Sequence, residues 1–450
     1  MIGSRKRVIL GLSALVVVVA ALVPATAPAF SIEYEKHALD NGLRIVLAPD
    51  PSAPTVSYFT MIDAGSRDET KKGATGIAHV FEHMMFRGTE QYPDFDAAVA
   101  PMGAQTNAFT GNDMTAYYVN AKSEFLPEIV ALEADRVRNL VFTNETFRTE
   151  LGPVKEERRR WVDEDPYGYL EQRLYDLAFD RHTYQHPVIG WEDDLEQNMT
   201  FNDGLQFKET YYSPQFTVIS VAGGFDPEQA LALIEEHYGD WEQSTITPDP
   251  IPEEPEQDRH RTDRLVWKDA MIAPIVMMAH KSPAMQFVTK DYLALQVVDR
   301  LLFSNSGRLR QRLMVDNQLV EDVDAGAWGT KDPSLWTITA TAKTGVPLDS
   351  IQRVIVDELE RLRTEPVSRE ELDKAVLGFK ANRIYGMDKP SSVAVTLGRY
   401  TIISGNPENV MRELKLLEAL TPADIQAFAQ TYLTADRRTT VTLIPKAESQ

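Results

Sequence analysis

A proline- and acid-rich stretch near the middle of the chain constrains the fold more than any other feature. Residues 245–263 read TITPDPIPEEPEQDRHRTD and contain four prolines but no periodic apolar pattern. Because proline fixes φ and lacks an amide hydrogen, this stretch cannot continue a helix or a central strand, and we expect it to be extended and solvated. The sequence therefore predicts two folded domains, at residues 30–245 and 264–450, joined by a linker at residues 246–263.

The two predicted domains have a similar order of elements. Short β-rich runs and helical patterns occur in both halves, which favours an α+β fold. The predicted strands are at residues 43–48, 56–62, 216–222, 275–279, 336–342 and 440–444. The predicted helices include residues 124–140, 291–303, 349–363 and 370–384. We therefore expect two related domains, each a mainly antiparallel sheet packed with helices, as after an ancient duplication.

The first 29 residues are predicted to be a signal peptide rather than part of the fold. Arg5, Lys6 and Arg7 precede an apolar run at residues 8–23, and small residues follow up to residue 29. The run is shorter than the about 20 residues that a membrane-spanning helix needs, so a cleaved signal is favoured over a stable membrane span. We therefore expect a periplasmic or secreted mature protein.

The composition limits both the partners and the metal ligands. With 46 basic and 67 acidic residues, the chain has a formal net charge of −21. Such a charge argues against nucleic acid as a partner, since it repels phosphates. There is no cysteine in the sequence. Any metal site must therefore use histidine and carboxylate ligands.

The stretch GIAHVFEHMMFRG at residues 76–88 indicates a metal site. On a helix, His79, Glu82 and His83 lie within a sector of about 100°. Imidazoles at positions i and i+4 can bind one zinc ion, while Glu82, on the same face, can act as a general base. The alternative is that both histidines are ordinary core or surface residues. The pattern needs a third ligand to favour zinc.

The candidate third ligand is a carboxylate on a second helix, predicted around residues 151–163. Glu150 and Glu157 are seven residues apart, so on one continuous helix they share a face. One could then bind zinc, while the other, outside the ligand shell, interacts with a zinc-binding histidine. The alternative is a charged, solvated helix. The pair Gly152-Pro153 predicts that the helix kinks or begins afresh at Pro153, which keeps Glu157 in place but not Glu150.

Together these motifs resemble those of the pitrilysin-like M16 metallopeptidases, the inverzincins, whose signature is His-x-x-Glu-His. The similarity is strongest over residues 73–200, and its motifs are at residues 75–89, 103–110, 113–118, 154–157 and 186–191. The resemblance implies a short two-domain member that forms half of a clamshell. It also implies a zinc endopeptidase that acts on extended or unfolded peptides.

The resemblance also implies a role for individual residues. Zinc would be held by His79, His83 and Glu157. Glu82 would be the general base, and Glu150 would be a helper carboxylate behind the ligands.

Substrate binding is where the sequence departs from the family. The resemblance implies that Asn107 and Ala108 lie on a β-edge to which an extended peptide adds as a strand. In the family, an arginine and a tyrosine seven residues apart in the other domain bind the scissile peptide and stabilise its oxyanion. Met314 and Glu321 occupy those positions here. Methionine cannot donate a hydrogen bond, and glutamate would repel an oxyanion.

We therefore interpret the chain as the zinc-bearing subunit of a heterodimer whose homologous partner supplies the arginine and the tyrosine. One alternative is a self-sufficient homodimer in which other basic residues replace the pair. Another is a non-catalytic assembly subunit. The set of His79, Glu82 and His83 argues against the latter, because a purely structural subunit has no need of a general base.

Overall fold

Two β-sheets with the same strand plan organise the chain. The structure is a computed structural model and describes residues 31–269, 271–284, 286–327 and 329–446. The strands of the first sheet are β1 (Glu35–Ala38), β2 (Arg44–Pro49), β3 (Thr55–Ile62), β4 (Gln105–Thr110), β5 (Thr115–Lys122) and β6 (Thr217–Gly223). Those of the second are β7 (Arg261–Trp267), β8 (Ile275–Ala284), β9 (Val320–Ala327), β10 (Pro333–Ala342) and β11 (Arg438–Pro445).

The strand orders show that the two sheets are related. The first sheet runs β1-β2-β6-β3-β5-β4, and the second runs β7-β11-β8-β10-β9. Apart from β1, each strand of the first sheet has a counterpart in the second. The pairs β2·β6 and β7·β11 are parallel, and the other pairs are antiparallel. The predicted fold class, two mainly antiparallel sheets packed with helices, is confirmed.

Helices pack against both sheets. In the first half they are α1 (Ile77–Met84), α2 (Phe95–Val99), α3 (Leu126–Asn139), α4 (Asn144–Arg158), α5 (Pro166–Ala178), α6 (Phe201–Tyr211) and α7 (Pro227–Tyr238). In the second they are α8 (Lys290–Phe303), α9 (Arg308–Arg310), α10 (Leu348–Thr364), α11 (Arg369–Tyr385), α12 (Pro390–Ser404), α13 (Asn409–Glu418) and α14 (Pro422–Tyr432). The six predicted strands coincide with β2, β3, β6, β8, β10 and β11, and the four predicted helices coincide with α3, α8, α10 and α11.

The two halves exchange helices, so that each sheet is covered in part by a helix from the other half. α5 belongs to the first half, yet Leu170 and Leu174 pack into the core of the second sheet with Trp267. α12 belongs to the second half and lies on β2, β3 and β6 of the first sheet. There the Ser220 hydroxyl donates to the Ala394 carbonyl at 2.7 Å. Each half therefore buries its apolar surface fully only when the other is present.

The predicted linker has no helix or strand at residues 246–260, but it is not free in solvent. The Glu254 carboxylate accepts from three consecutive amides, at residues 180–182, at 3.0–3.1 Å. It also pairs with Lys281 at 3.1 Å. The buried Gln257 amide donates to three backbone carbonyls, those of Arg259, Asp436 and Arg438. The solvated linker expected from composition is thus wrong in part, because two polar side chains bond it to both halves.

An ionic network also joins the halves at residues 329–332, between β9 and β10. Asp332 Oδ2 lies 2.5 Å from Arg67 Nε and 3.1 Å from His182 Nε2. The Lys331 amide donates to Asp113 at 3.3 Å. Burial alone would raise the pKa of Asp332, but the bonds with His182 and Arg67 outweigh it and lower that pKa to about 2. Asp332 therefore stays ionised at neutral pH and holds this connection against the first half.

Two sequence predictions are not decided by the fold. The signal peptide at residues 1–29 lies outside the described residues. From Glu33 onwards the chain forms one compact unit, so the domain limits at residues 245 and 264 stay a prediction. Within the described ranges, we find no helix with the length and apolar character needed to span a bilayer.

Gly398 on α12 provides a test of the helix exchange. A Cβ at this position would lie 2.2 Å from the Met61 sulfur and 3.2 Å from Ser220 Cβ. We expect Gly398→Val to lower the free energy of unfolding by about 1–3 kcal/mol, the usual cost of overpacking a core. Urea denaturation measures this change. Gly326→Val on β9 is the control, because a Cβ there meets no atom within 4 Å. Equal stability of the two variants would contradict the close packing of α12.

Candidate metal centre

The motif helix α1 buries its apolar face and presents its polar face to α4. The apolar side chains lie in a core of the first half: Ile77, Ala78, Val80, Phe81 and Met84. His79, Glu82 and His83 project from the remaining positions. His79 is 9% exposed, and the other two are half-buried. The polar groups therefore lie at the boundary between the core and solvent.

The ligand helix α4 runs from Asn144 to Arg158 with Pro153 inside it, so the helix does not begin afresh at that proline. Its first turn is capped by the Thr143 hydroxyl, which accepts from the Thr146 amide at 3.1 Å. One stripe of the helix is buried along its length: Phe147, Glu150, Val154 and Arg158. This packing and the cap offset the about 3 kcal/mol that an internal proline costs a helix. Glu150 and Glu157 consequently lie on one continuous helix.

The structure brings His79, His83 and Glu157 together. Glu157 Oε2 lies 3.6 Å from His79 Nε2 and 3.2 Å from His83 Nε2. One potential ligand atom from each residue lies within 4.8 Å of the other two, and no second group of this kind occurs among the described residues. Two imidazole nitrogens and one carboxylate oxygen are a donor set that catalytic zinc sites use, with a fourth position left for water or substrate. The residues present therefore fit a zinc ion.

The protonation states of these side chains suit a cation. Burial, and then the neighbouring His83, lower the pKa of His79 to about 4, so its imidazole is neutral at neutral pH. The hydrogen bond with His83 lowers the pKa of Glu157, which is therefore ionised. His79 Nδ1 is buried without a hydrogen-bond partner in the described part of the chain. Neutral imidazole and carboxylate are the forms that bind metal ions.

Glu82 is oriented by a residue that the sequence reasoning missed. The Thr110 hydroxyl, at the end of β4, donates to Glu82 Oε2 at 2.5 Å. Burial raises the pKa of Glu82, and the bond from Thr110 limits that rise. Thr110 ends one of the stretches that carry the family resemblance, at residues 103–110. Its place in that stretch was the only sequence signal for this role, because no local pattern relates the Thr110 hydroxyl to a glutamate on α1.

Glu150 lies on the far side of the His83 ring from Glu157. Its Oε2 is 3.8 Å from His83 Nδ1, whereas Glu157 lies at Nε2. Its Oε1 contacts the Arg87 guanidinium. Glu150 is buried, and Glu157 is half-buried. Glu150 therefore lies beside His83 on the edge of the ring opposite Glu157, and its helper role stays a prediction.

Asn107 and Ala108 lie on β4, an edge strand of the first sheet. β4 pairs with β5 and has no strand on its other side within the described sheet. Asn107 is exposed, while Ala108 packs into the core that contains α1. An edge strand presents unpaired N–H and C=O groups that can pair with another chain. The binding of a peptide at this edge stays a prediction.

The corresponding helix of the second half does not carry metal ligands. α8 follows β8 and precedes the edge strand β9, just as α1 follows β3 and precedes β4. α8 reads KDYLALQVVDRLLF and contains no histidine in any register. It therefore offers no pair of imidazoles that could bind zinc as His79 and His83 would. Of the two related places in the fold, only the first can form the cluster.

The positions expected to hold the substrate-binding pair are Met314 and Glu321. Met314 lies in a π-type turn after α9, and Glu321 is an exposed residue of β9. Basic residues nearby have other contacts. Arg312 pairs with Glu358 at 2.8 Å, and Arg310 donates to the Val323 carbonyl at 2.9 Å. These two arginines are thus engaged within the second half.

A loop that carries Gly190 clasps the N-terminus of α1. Gly76 and Gly190 have φ of 90° and 88°, and a Cβ on Gly190 would lie 2.2 Å from the Thr75 carbonyl oxygen. The Thr75 hydroxyl accepts from the Trp191 amide at 2.9 Å and donates to Asp194 at 2.6 Å. The stretch at residues 186–191, one of those that carry the family resemblance, therefore has a structural role at the motif helix.

Comparisons with known proteins identify the family. Two family models match the chain, insulinase (peptidase family M16) at residues 44–191 and the peptidase M16 inactive domain at residues 198–379. The zinc protease PqqE of Helicobacter pylori is 30% identical over 448 residues, which cover 98% of this chain and 99% of that protein. The chain therefore belongs to the M16 peptidase family, in its short two-domain form, and the resemblance inferred from the motifs is confirmed.

Further similarities agree with this assignment. The beta subunit of the mitochondrial-processing peptidase of Lentinula edodes is 26% identical over 419 residues, covering 89% of this chain and 87% of that protein. A solved protease structure from Helicobacter pylori has a TM-score of 0.87 at 28% identity, over 92% of this chain and 100% of that one. The periplasmic protease PqqL of Escherichia coli shares the fold, with a TM-score of 0.74 at 18% identity, over 92% of this chain and 48% of that one.

Gly190→Ala tests the clasp around α1. A non-glycine residue at this φ is strained by about 1–3 kcal/mol, and the overlap with the Thr75 carbonyl adds to that cost. We therefore expect a clear loss of unfolding free energy in urea denaturation. Gly152→Ala on α4 is the control, because a Cβ there meets no atom within 4 Å. That change should stabilise the helix by up to about 1 kcal/mol. A Gly190→Ala protein as stable as wild type would show that the clasp is not tight.

Proposed function

We propose that this protein is the zinc-bearing subunit of an endopeptidase that hydrolyses extended or unfolded peptides. The observation that carries the proposal is the cluster of His79, His83 and Glu157, whose potential ligand atoms lie within 4.8 Å of one another. Glu82 projects from the same helix and interacts electrostatically with His83 and Glu157. The similarity to a protein named as a zinc protease supports the choice of metal.

The metal would be held by two residues of α1 and one of α4. His79, His83 and Glu157 are the proposed ligands, and a bound zinc ion supplies Lewis-acid polarisation of the scissile carbonyl. Glu150, on the Nδ1 side of His83, would fix the orientation of that ring. Because the ligands belong to two packed helices, their separation depends on how α1 and α4 contact each other.

Glu82 is the proposed proton carrier. Thr110 holds its Oε2, which leaves Oε1 to take a proton from the attacking water and to return it to the departing amine. Because burial raises the pKa of Glu82, the carboxylate is a stronger base than an exposed glutamate. The hydrogen bond from Thr110 also restricts the rotation of the carboxylate, so that its free oxygen keeps one direction.

The free edge of β4 is the proposed binding site for the peptide. Main-chain hydrogen bonds along Asn107 and Ala108 would align the substrate beside α1, because β4 packs against that helix. Such bonds depend on an extended backbone more than on particular side chains. We therefore expect extended or unfolded peptides as substrates rather than one strict sequence.

A homologous subunit is proposed to supply the oxyanion-stabilising arginine and tyrosine. In support, Met314 and Glu321 occupy the expected positions in this chain, and the nearby Arg312 is paired with Glu358. One similar protein is named as a beta subunit, which also points to an assembly of more than one chain. A homodimer with a substitute for the pair is the second candidate. A non-catalytic assembly subunit is disfavoured by the cluster beside Glu82.

The proposed location is a periplasm or the outside of the cell. The basic residues and the apolar run before residue 29 support export. One structural neighbour is named as periplasmic, which agrees with that proposal.

Zinc affinity tests the proposed ligands. We expect Glu157→Gln to weaken zinc binding by more than the about 10–100-fold that changes outside the ligand shell cost. Competition with a chelator measures the dissociation constant. Glu156→Gln is the matched control, since Glu156 is 44% exposed on the same helix and pairs with Arg159. Wild-type affinity in Glu157→Gln would overturn the assignment of the third ligand.

Peptide cleavage tests the base and the partner together. The mature chain is expressed alone and with a homologous subunit from a neighbouring gene, and cleavage of a fluorogenic peptide is measured. We expect activity only in the mixed assembly, and Glu82→Gln should bind zinc there but lower kcat by about 10²–10⁴-fold. Full activity of the lone chain would favour the homodimer. Protein that neither binds zinc nor cleaves in either form would overturn the proposed function.

A further inference from the structure

Glu69 is a buried carboxylate outside the ligand cluster, and its hydrogen bonds end on the motif helix. It lies between β3 and α1 and is 5% exposed. Its Oε2 accepts from the Gly76 amide at 2.6 Å, and its Oε1 accepts from the Ala78 amide at 2.9 Å. Both carboxylate oxygens are thus bonded to the first turn of α1.

These bonds meet a requirement of the helix. The first amides of a helix have no carbonyl partners within it, and that end carries partial positive charge. α1 has eight residues, a length at which a helix depends on tertiary contacts. Its N-cap is Gly76, which has no side chain to accept from those amides. Glu69 therefore supplies from another segment what a serine or aspartate usually supplies at the N-cap.

Burial raises the pKa of Glu69, and the hydrogen bonds from the Ala78 and Gly76 amides oppose that rise. Among the described residues, its one ion-pair neighbour is His186, whose Nδ1 lies 3.6 Å from Glu69 Oε2. Burial lowers the pKa of His186 to about 4, so that ring is neutral at neutral pH. A buried carboxylate is costly unless it is hydrogen-bonded. The position of Glu69 and that of the first turn of α1 are consequently coupled.

We infer that Glu69 is a positioning residue for the metal centre, which fixes the first turn of α1 and thereby the direction in which the metal ligands point. The inference rests on the proposed zinc site. The Ala78 amide donates to Glu69. Ala78 directly precedes His79, and His83 follows one turn later. Glu157 belongs to a different helix, so a rotation or tilt of α1 changes its distance to both imidazoles.

The neighbouring carboxylate, Asp194, has a different role. It accepts from the amide and the hydroxyl of Thr75, in the loop before the helix. Asp194 therefore anchors the clasp, whereas Glu69 bonds the amides at Gly76 and Ala78 on the helix itself. Of these two buried carboxylates, Glu69 is the one whose loss acts directly on the orientation of α1.

Glu69→Gln tests this inference at nearly constant size. The change converts one acceptor oxygen into an NH₂ donor that faces an amide hydrogen of Gly76 or Ala78. We expect zinc affinity, measured by chelator competition, to weaken by about 10–100-fold. At saturating zinc, in the assembly that is active, we expect kcat to fall by about tenfold while KM changes by less than about threefold, because the β4 edge is untouched.

The control is Glu358→Gln, which alters a fully buried carboxylate that pairs with Arg308 and Arg312 in the second half. It should lower the melting temperature and leave zinc affinity and kcat as in wild type. A folded Glu69→Gln protein with zinc affinity within about twofold of wild type would overturn the inference and assign Glu69 to stability alone. Wild-type protein that binds no zinc would overturn the proposed function instead.

If Glu69→Gln does not fold, Glu69→Asp serves the same test. Aspartate keeps both acceptor oxygens on a side chain one methylene shorter, so it can no longer reach both amides from the same backbone position. Weaker zinc binding in folded Glu69→Asp supports the inference. Unchanged zinc affinity would overturn it.

Discussion

The candidate site depends on the contacts of an eight-residue helix that is too short to hold its own position. α1 is fixed on three sides. Its apolar residues are buried in the first core, its first turn is bonded by Glu69 and clasped by the loop of Gly190, and its polar face lies against α4. Glu157 meets His79 and His83 only because all three contacts are satisfied together. The chemistry of the cluster is thus a consequence of helix packing as much as of ligand identity.

The two sheets share a strand order, but the helix next to the edge strand carries two histidines in the first half and none in the second. In the first half, the helix next to the edge strand carries His79, Glu82 and His83. In the second, α8 occupies the same place in the strand order and carries residues that cannot bind zinc in this way. The family model that matches the second part of the chain is described as an inactive domain, which agrees with this difference. The second half keeps the plan without the ligands, and it contributes α12, which covers part of the first sheet.

Much of the fold could be predicted from local patterns, because the periodicity of apolar residues is set by the elements themselves. The ligand spacing on α1 and the central strands are of this kind. A helix start at Pro153 is wrong, because the local rule against proline yields to the packing of α4. Residues 246–260 form no helix or strand, but the contacts of Glu254 with the amides at residues 180–182 could not be seen in the composition of this segment.

Other parts of the site could not be predicted because their partners are distant in the sequence. Thr110 is 28 residues from Glu82, and the bond between them exists only once β4 packs beside α1. Glu69 is closer to α1, but no repeating pattern relates it to the amides of Gly76 and Ala78. Family resemblance marked the stretches that contain Glu82 and Thr110, but not Glu69, and it gave no physical reason for these bonds. The structure supplies that reason as hydrogen bonds to the base and to the helix terminus.

Because α5 and α12 each pack on the sheet of the other half, the two halves do not depend on the connecting segment to stay together. Each sheet packs against a helix from the other half, and Glu254 and Gln257 bond the C-terminal part of the connecting segment to both halves. A proteolytic cut within residues 246–253 would therefore not release two separate pieces, since apolar faces and not the backbone hold them together. The covalent connection raises the local concentration at which the halves meet during folding. After folding, the packing of α5 and α12 on the sheet of the other half holds the halves together.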